Sequence, residues 1–206
     1  MLKILGRKTS SNVMKVLWFC GESNLPFTRE DYGGPFGKTK DPAYLALNPN
    51  ALVPTIDDDG FILWESHAIL RYLASKHKAT MLWPEEPRWR ANVDRWMDWG
   101  HTVLGPAITP MFLQLIRTPK PDQDPKVIEA SRLKTADGLA LLDKQLAGKK
   151  FVTGEIFTLA DIPLGIQAYR WFYFDVPRPD FPNVKAWYDR LCERPAYKEH
   201  VMNPLV

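Results

Sequence analysis

The chain has 206 residues, 45% of them hydrophobic, with 27 basic against 24 acidic side chains and a net charge of +3. That is enough apolar material for a proper core in one large or two small domains, and the scattered cations form no stripe of the kind that binds nucleic acid. No apolar run approaches the ~18 residues of a membrane helix.

The first twelve residues, MLKILGRKTSSN, turn polar too quickly for a secretory signal. Cys20 and Cys192 stand far apart in no metal-ligand or C-x-x-C spacing, and His67, His77, His101 and His200 form no ligand pattern. A cytoplasmic protein without a metal site is expected.

In chain order, Leu2 and Ile4 alternate with Lys3 and stop at Gly6, which predicts a short strand. Val13, Val16, Leu17 and Cys20 then recur at i, i+3, i+4 and i+7, predicting a helix with one buried face. LPFTRED reads as a second strand, followed by a glycine-rich loop and a short helical segment from Tyr44 to Leu47. LVPTI and FILW are two apolar runs joined by DDDG, where Asp59-Gly60 supplies the positive φ of a tight hairpin. Ala68, Ile69, Tyr72 and Leu73 carry a helix onward from Ser66.

This β-α-β-α-β-β-α order predicts an α/β domain over residues 1–80, with a parallel strand pair first and an antiparallel hairpin last. HKATMLWPEEPR breaks the pattern, and a fresh helix begins near Pro87. Helical signals follow at Trp89 to Leu104, Val127 to Leu146 and Phe181 to Tyr197, with no convincing strand after about residue 85. An all-helical domain over residues 86–206 is expected. In FTLADI, Thr158 and Asp161 have the spacing of a capping box and close a helix end, with a loss of about 1 kcal/mol expected on removal.

An X-Pro bond at the start of an edge strand is easily cis, which leaves the Val53 backbone free to pair with an extended ligand as an added strand. Glu65-Ser66 opens the next helix, where unpaired N–H groups and the dipole attract a carboxylate and Glu65 can accept from an ammonium. A ligand with a peptide backbone beside an amino-acid head group would be held at both places.

NPNALVPTI, WESHAILRYLA and SSNVMKV in the first domain, with FTLADI and RPDFPNVKAWYDRLCERPAY in the second, resemble the glutathione transferase superfamily over almost the whole chain. The likeness is closest to the small bacterial enzymes of the B type, whose first helix begins Ser-x-Asn-Val, with theta-class proteins more distant. It implies a thioredoxin-like first domain, a helical-bundle second domain, a homodimer, and glutathione as co-substrate. It further implies that Val53, next to a cis Pro54, pairs with the cysteinyl backbone, that Glu65 and Ser66 hold the γ-glutamyl head group, and that Lys40 reaches the glycyl carboxylate. Ala51 departs from the glycine common after NPN.

A thiol of pKa about 8.5 must be ionised to attack, and lowering it by about two units requires roughly 2.7 kcal/mol of preference for the anion. A hydroxyl at a helix N-terminus supplies that kind of stabilisation, and TSSN offers several. The Ser-x-Asn-Val pattern points to Ser10 with Asn12, whereas theta-class spacing counted back from Lys15 points to Ser11. Ser10 ranks first, Ser11 next, Asn12 serves as a second donor, and Thr9 is weaker. Helix capping alone is the competing role for all of them. No cysteine occupies TSSN, unlike the omega and beta classes, and Cys20 reads as a packing residue.

A small apolar electrophile is expected in an apolar cleft between the domains. Trp96, Trp99, Leu104, Met111, Phe112 and Tyr169 are the candidates to line it, with helical core as their alternative role. The leading function is therefore conjugation or halide displacement by glutathione. Glutathione-dependent peroxide or disulfide reduction would use the same thiolate, and a noncatalytic interaction module of the same fold is a third possibility.

Overall fold

A computed structural model describes residues 1–206. Strands β1 (Leu2–Leu5), β2 (Phe27–Glu30), β3 (Thr55–Asp58) and β4 (Phe61–Trp64) form one sheet in the order β2-β1-β3-β4. β1 and β2 are parallel, while β3 runs antiparallel to both β1 and β4, with Ile4 opposite Ile56. The expected parallel pair and terminal hairpin are both present. Asp59 and Gly60 turn that hairpin at φ 54° and 92°, the left-handed values a two-residue hairpin turn demands.

Helix α1 (Ser11–Glu22) and helix α3 (Ser66–Lys76) pack together, and the short α2 (Pro42–Leu45) carries Tyr44 into the core. The expectation that α1 has one buried face is corrected. Every residue from Val13 to Cys20 is buried, Lys15 included, because α1 also packs against α7 (Asp161–Tyr173) and α9 (Pro195–His200). Trp18 shows why: its ring lies 4.6 Å from Tyr197 and 5.3 Å from Phe157. A helix sandwiched on all sides needs an apolar surface all round rather than a stripe.

From Pro87 onward the chain is helical, and a lone Phe151–Gly154 bridge is its only strand-like pairing. Helix α4 (Pro87–Trp99) is capped by Glu86, whose carboxylate accepts from the N–H groups of Arg88 and Trp89. The sequence reading stops this helix at Leu104. Instead it runs on through a wide π-helical turn (Gly100–Leu104), α5 (Gly105–Phe112) and a second wide turn (Leu113–Arg117). Pro106 and Pro110 lack the N–H that an ordinary i−4 ladder needs, and the widened turns carry the rod past them. Helices α6 (Pro125–Leu146) and α8 (Pro182–Glu193) complete the unit. The amphipathic stretch expected from Phe181 to Tyr197 is two helices, broken at Arg194, whose extended backbone (ψ 125°) is what a following proline enforces. One continuous apolar cluster of 41 buried residues joins the sheet-bearing unit to the helices.

Candidate active site

Two clefts meet at the N-terminus of α1. The smaller lies on the sheet-bearing unit and is lined by Asn12, Asn50, Val53, Pro54, Glu65 and Ser66, among others. The Val53–Pro54 bond is cis, and neither the N–H nor the C=O of Val53 has a partner within the chain. The approach to Val53 is held by a small polar network. Tyr44 donates its hydroxyl to the Leu52 carbonyl at 2.6 Å, and Asn48 Nδ2 donates to that carbonyl at 2.9 Å and to Thr55 Oγ1 at 3.0 Å. Both side chains are buried, so the strand-like edge at Val53 is presented by rigid supports.

On the other wall, Glu65 has a positive φ of 72° and stands exposed at the head of α3, a conformation that non-glycine residues adopt mostly where the surroundings impose it. The first three N–H groups of α3, from Ser66, His67 and Ala68, have no acceptor in the chain, which is the condition for receiving a carboxylate. Asn12, Val53, Pro54, Glu65 and Ser66 are thus brought together around one cleft. Lys40 is not among them: it sits exposed in the loop before α2, with no ion pair.

The larger cleft, of about 400 Å³, opens between the sheet-bearing unit and the helices. Ser11, Asn12 and Lys15 line it from α1, His101, Pro106, Thr109 and Pro110 from the α4–α5 rod, and Gln167 and Arg170 from α7. Asn12 belongs to both clefts, so it marks their junction. Ser10 is the cap of α1 but makes no side-chain capping bond and lines neither cleft. Thr9 is taken by the Arg7 guanidinium, which donates to its hydroxyl at 2.6 Å.

Lys15 lines the larger cleft beside Asn12. It is 3% exposed, and its ammonium donates to Asn12 Oδ1 at 3.0 Å, reaches Ser66 Oγ at 3.5 Å and lies 3.2 Å from His67 Nε2. With its oxygen occupied, Asn12 keeps its Nδ2–H2 group free to donate. Burial first, and then the charge of Arg170, bring the Lys15 pKa down to about 7 against the opposing charge of Glu65. Burial likewise holds His67 neutral. The available signal was a lysine inside the apolar run from Val13 to Cys20. Arg170 announces itself in the same way, as a lone cation in IQAYRWFY.

The residues expected to make an apolar electrophile pocket do not converge. Leu104 and Met111 are fully buried in the core. Trp99 lines a different hollow, shared with α6 residues Asp137, Gly138 and Leu141. Trp96 is 8% exposed and packs edge-on to Trp99 at 5.2 Å. Tyr169 donates its hydroxyl to the Asn203 carbonyl at 2.6 Å, and Phe112 lies under the Arg170 guanidinium. The interdomain cleft is instead lined by polar and cationic side chains together with Gly100, Gly105, Pro106 and Pro110, and none of the residues expected for the electrophile is among them. The aliphatic side chains face inward because burying them is worth ~1.5–3 kcal/mol each. Cys20 is 1% exposed, with burial pushing its thiol up to about 12, so it is the packing residue expected. No group of His, Cys, Asp and Glu could hold a metal ion, and no helix is long and apolar enough to cross a membrane.

The sequence matches the family description "Glutathione S-transferase, N-terminal domain" over residues 9–76 and "Glutathione S-transferase, C-terminal domain" over residues 94–195. It is 40% identical to glutathione S-transferase GstB of Escherichia coli K12 over 208 aligned positions, covering all of both chains. Glutathione S-transferase F13 of Arabidopsis thaliana is 31% identical over 95% of this chain and 93% of its own length. Among solved structures, the theta-class glutathione S-transferase of Xanthomonas axonopodis pv. citri with glutathione bound superposes with a TM-score of 0.95 at 42% identity, covering 100% of this chain and 99% of that one. Glutathione transferase F7 of Populus trichocarpa gives 0.89 at 28% identity, with 99% and 100% covered. The chain therefore belongs to the glutathione S-transferase family.

Proposed function

We propose that the chain ionises the thiol of glutathione and transfers the sulfur to a small electrophile. The S–H proton passes to solvent, an S–C bond forms, and in a displacement the halide departs with its bonding electrons. The observation that carries this reading is the meeting of the two clefts at Asn12. A peptide lying in the smaller cleft, its backbone paired with Val53, would bring a mid-chain thiol to the head of α1.

In this reading Val53 and the cis Pro54 receive the cysteinyl backbone, Ser66 with the free N–H groups of α3 holds the γ-glutamyl carboxylate, and Glu65 accepts from its ammonium. Lys40 takes the glycyl carboxylate, a role that rests on the family likeness alone. Ser11 takes the thiolate-donor role ahead of Ser10, because Ser11 lines the interdomain cleft and Ser10 does not. Asn12 Nδ2 is the second donor. A hydroxyl bond to an anion is worth ~1.5–3 kcal/mol and a helix N-terminus ~0.3–1 kcal/mol. Together they reach the roughly 2.7 kcal/mol that a two-unit shift requires. A homodimer and a cytoplasmic location belong to the same reading and rest on the family likeness.

Ultraviolet difference absorbance of the bound thiolate across pH tests it. A thiol pKa depressed by about two units is expected, restored by Ser11→Ala and little moved by Ser10→Ala. Glutathione bound but not ionised would overturn the reading. A thioether product marks transfer, whereas oxidised glutathione marks the reductase alternative.

A further inference from the structure

We propose that the interdomain cleft selects an electrophile carrying a carboxylate or comparable small anionic group, seated on Arg170 with Arg117 beside it. This deepens the transferase reading and rests on it.

Arg170 is 8% exposed and faces the cleft from α7. Its only polar contact is Gln167 Oε1 at 3.4 Å, and it forms no ion pair. Its guanidinium lies 4.2 Å from the centre of the Phe112 ring, and that of Arg117 lies 5.5 Å from the same ring. Arg7 bonds only the Thr9 hydroxyl. Three other partly buried arginines have acidic partners, Arg29 with Asp31, Arg71 with Asp94 and Arg194 with Glu22, while Arg90 and Arg190 donate to the Pro84 and Lys150 carbonyls. A buried guanidinium with five N–H donors and one weak acceptor is costly unless something completes its shell.

The charges around it agree. Burial first, and then the charges of Arg117 and Arg7, bring the Arg170 pKa down to about 10, with no acid raising it. Glu65 is the one carboxylate acting on this wall, through Lys15. The planar fork of Arg170 matches a carboxylate bidentately. Glutathione's own carboxylates are the competing occupants. Arg170 lines the larger cleft and not the smaller one built by Val53 and Ser66, which assigns it to the second substrate.

The test compares chlorodinitrobenzene with its ring carboxylate, chlorodinitrobenzoate, each kcat/KM divided by the rate constant of the uncatalysed reaction with glutathione. The wild type is expected to favour the acid by about tenfold, the size of one desolvated charge pair. Arg170→Gln should bring the ratio to near one and the exposed Arg117→Gln part of the way, with the loss in the electrophile's KM rather than in that of glutathione. Equal treatment of the two electrophiles by the wild type overturns the proposal, and so does a loss confined to the KM of glutathione. Should Arg170→Gln not fold, Arg117→Gln decides by the same ratio.

If neither aryl chloride turns over, calorimetry with the two S-aryl glutathione conjugates gives the answer. The carboxylated conjugate should bind about tenfold more tightly, and equal affinity overturns the proposal. Failure to bind glutathione and both conjugates is a separate result, which removes the transferase reading itself.

Discussion

Trp187 donates its indole N–H to Asp161 Oδ1 at 2.9 Å, tying α8 to the first turn of α7 inside the core. The same carboxylate accepts the N–H groups of Val152 and Thr158, each at 2.9 Å. The capping box read from the sequence is corrected: only its Thr158 N–H to Asp161 bond forms, while α7 begins at Asp161 itself with no side-chain cap. Asp161→Ala leaves three buried donors without acceptors, so the loss should be about 3–5 kcal/mol, rather than the 1 kcal/mol of an ordinary cap. Trp187→Phe, which removes one donor and keeps the carboxylate's other bonds, should cost less. Urea midpoints of the two variants measure the difference, and equal losses would refute the account.

That contrast shows what the sequence made legible and what it did not. β1 to β4, the Asp59-Gly60 hairpin, α1 and α3 follow from periods of 2 and 3.6 and from turn chemistry, which act between near neighbours. The cradle at Val53, Glu65 and Ser66 was legible for the same reason, since each is a local backbone device. Lys15 and Arg170 were not, because the wall they share is made by α1 and α7, from opposite ends of the sequence, and periodicity assigns a lysine to solvent by default. Leu104 and Met111 failed as cleft residues because apolar character predicts burial, and burial in the core removes a side chain from a cleft. The continuation past Leu104 was hidden by Pro106 and Pro110, which normally end helices.

Ala51 adopts φ 56°, a left-handed conformation costing an L residue about 1–2 kcal/mol. Ala51→Gly removes that cost while adding about 0.5–1 kcal/mol of unfolded-state entropy. The substitution should be neutral or stabilising by up to about 1 kcal/mol, against a loss of similar size for Ala→Gly in a helix. Thermal unfolding of Ala51→Gly beside Ala140→Gly in α6 checks it, with a destabilised Ala51→Gly contradicting the argument.

Gly165 lets α7 close on α1 and α8. A Cβ there would stand 2.8 Å from Trp18 Cη2 and 2.9 Å from Leu191 Cδ1. Both side chains are buried at 0% exposure, so neither can yield without moving its helix. Gly165→Ala should cost about 3 kcal/mol as an overpacked core site. Gly148, at φ 71° with nothing within 4 Å, carries only a backbone penalty, so Gly148→Ala should cost about 1–2 kcal/mol. Denaturant midpoints of the pair separate collision from backbone strain.

Lys15 gives a pH dependence with a definite sign. Its pKa falls from 10.5 to about 7, chiefly by burial and then by Arg170, with Glu65 opposing. Between those two values the unfolded chain binds a proton that the folded chain does not, so this group makes stability rise with pH across that window. The penalty is present in full below pH ~7 and disappears as pH approaches the unfolded value. Lys15→Met abolishes the penalty and gives up the bonds to Asn12 and His67. It should therefore be more stable than the wild type near pH 6, by on the order of 2–4 kcal/mol, with the advantage shrinking steadily toward pH 10. Other groups that titrate in this range are common to both proteins and cancel in the comparison. Urea midpoints at pH 6, 8 and 10 measure it, and an advantage that does not change with pH would mean that Lys15 keeps its proton in the fold.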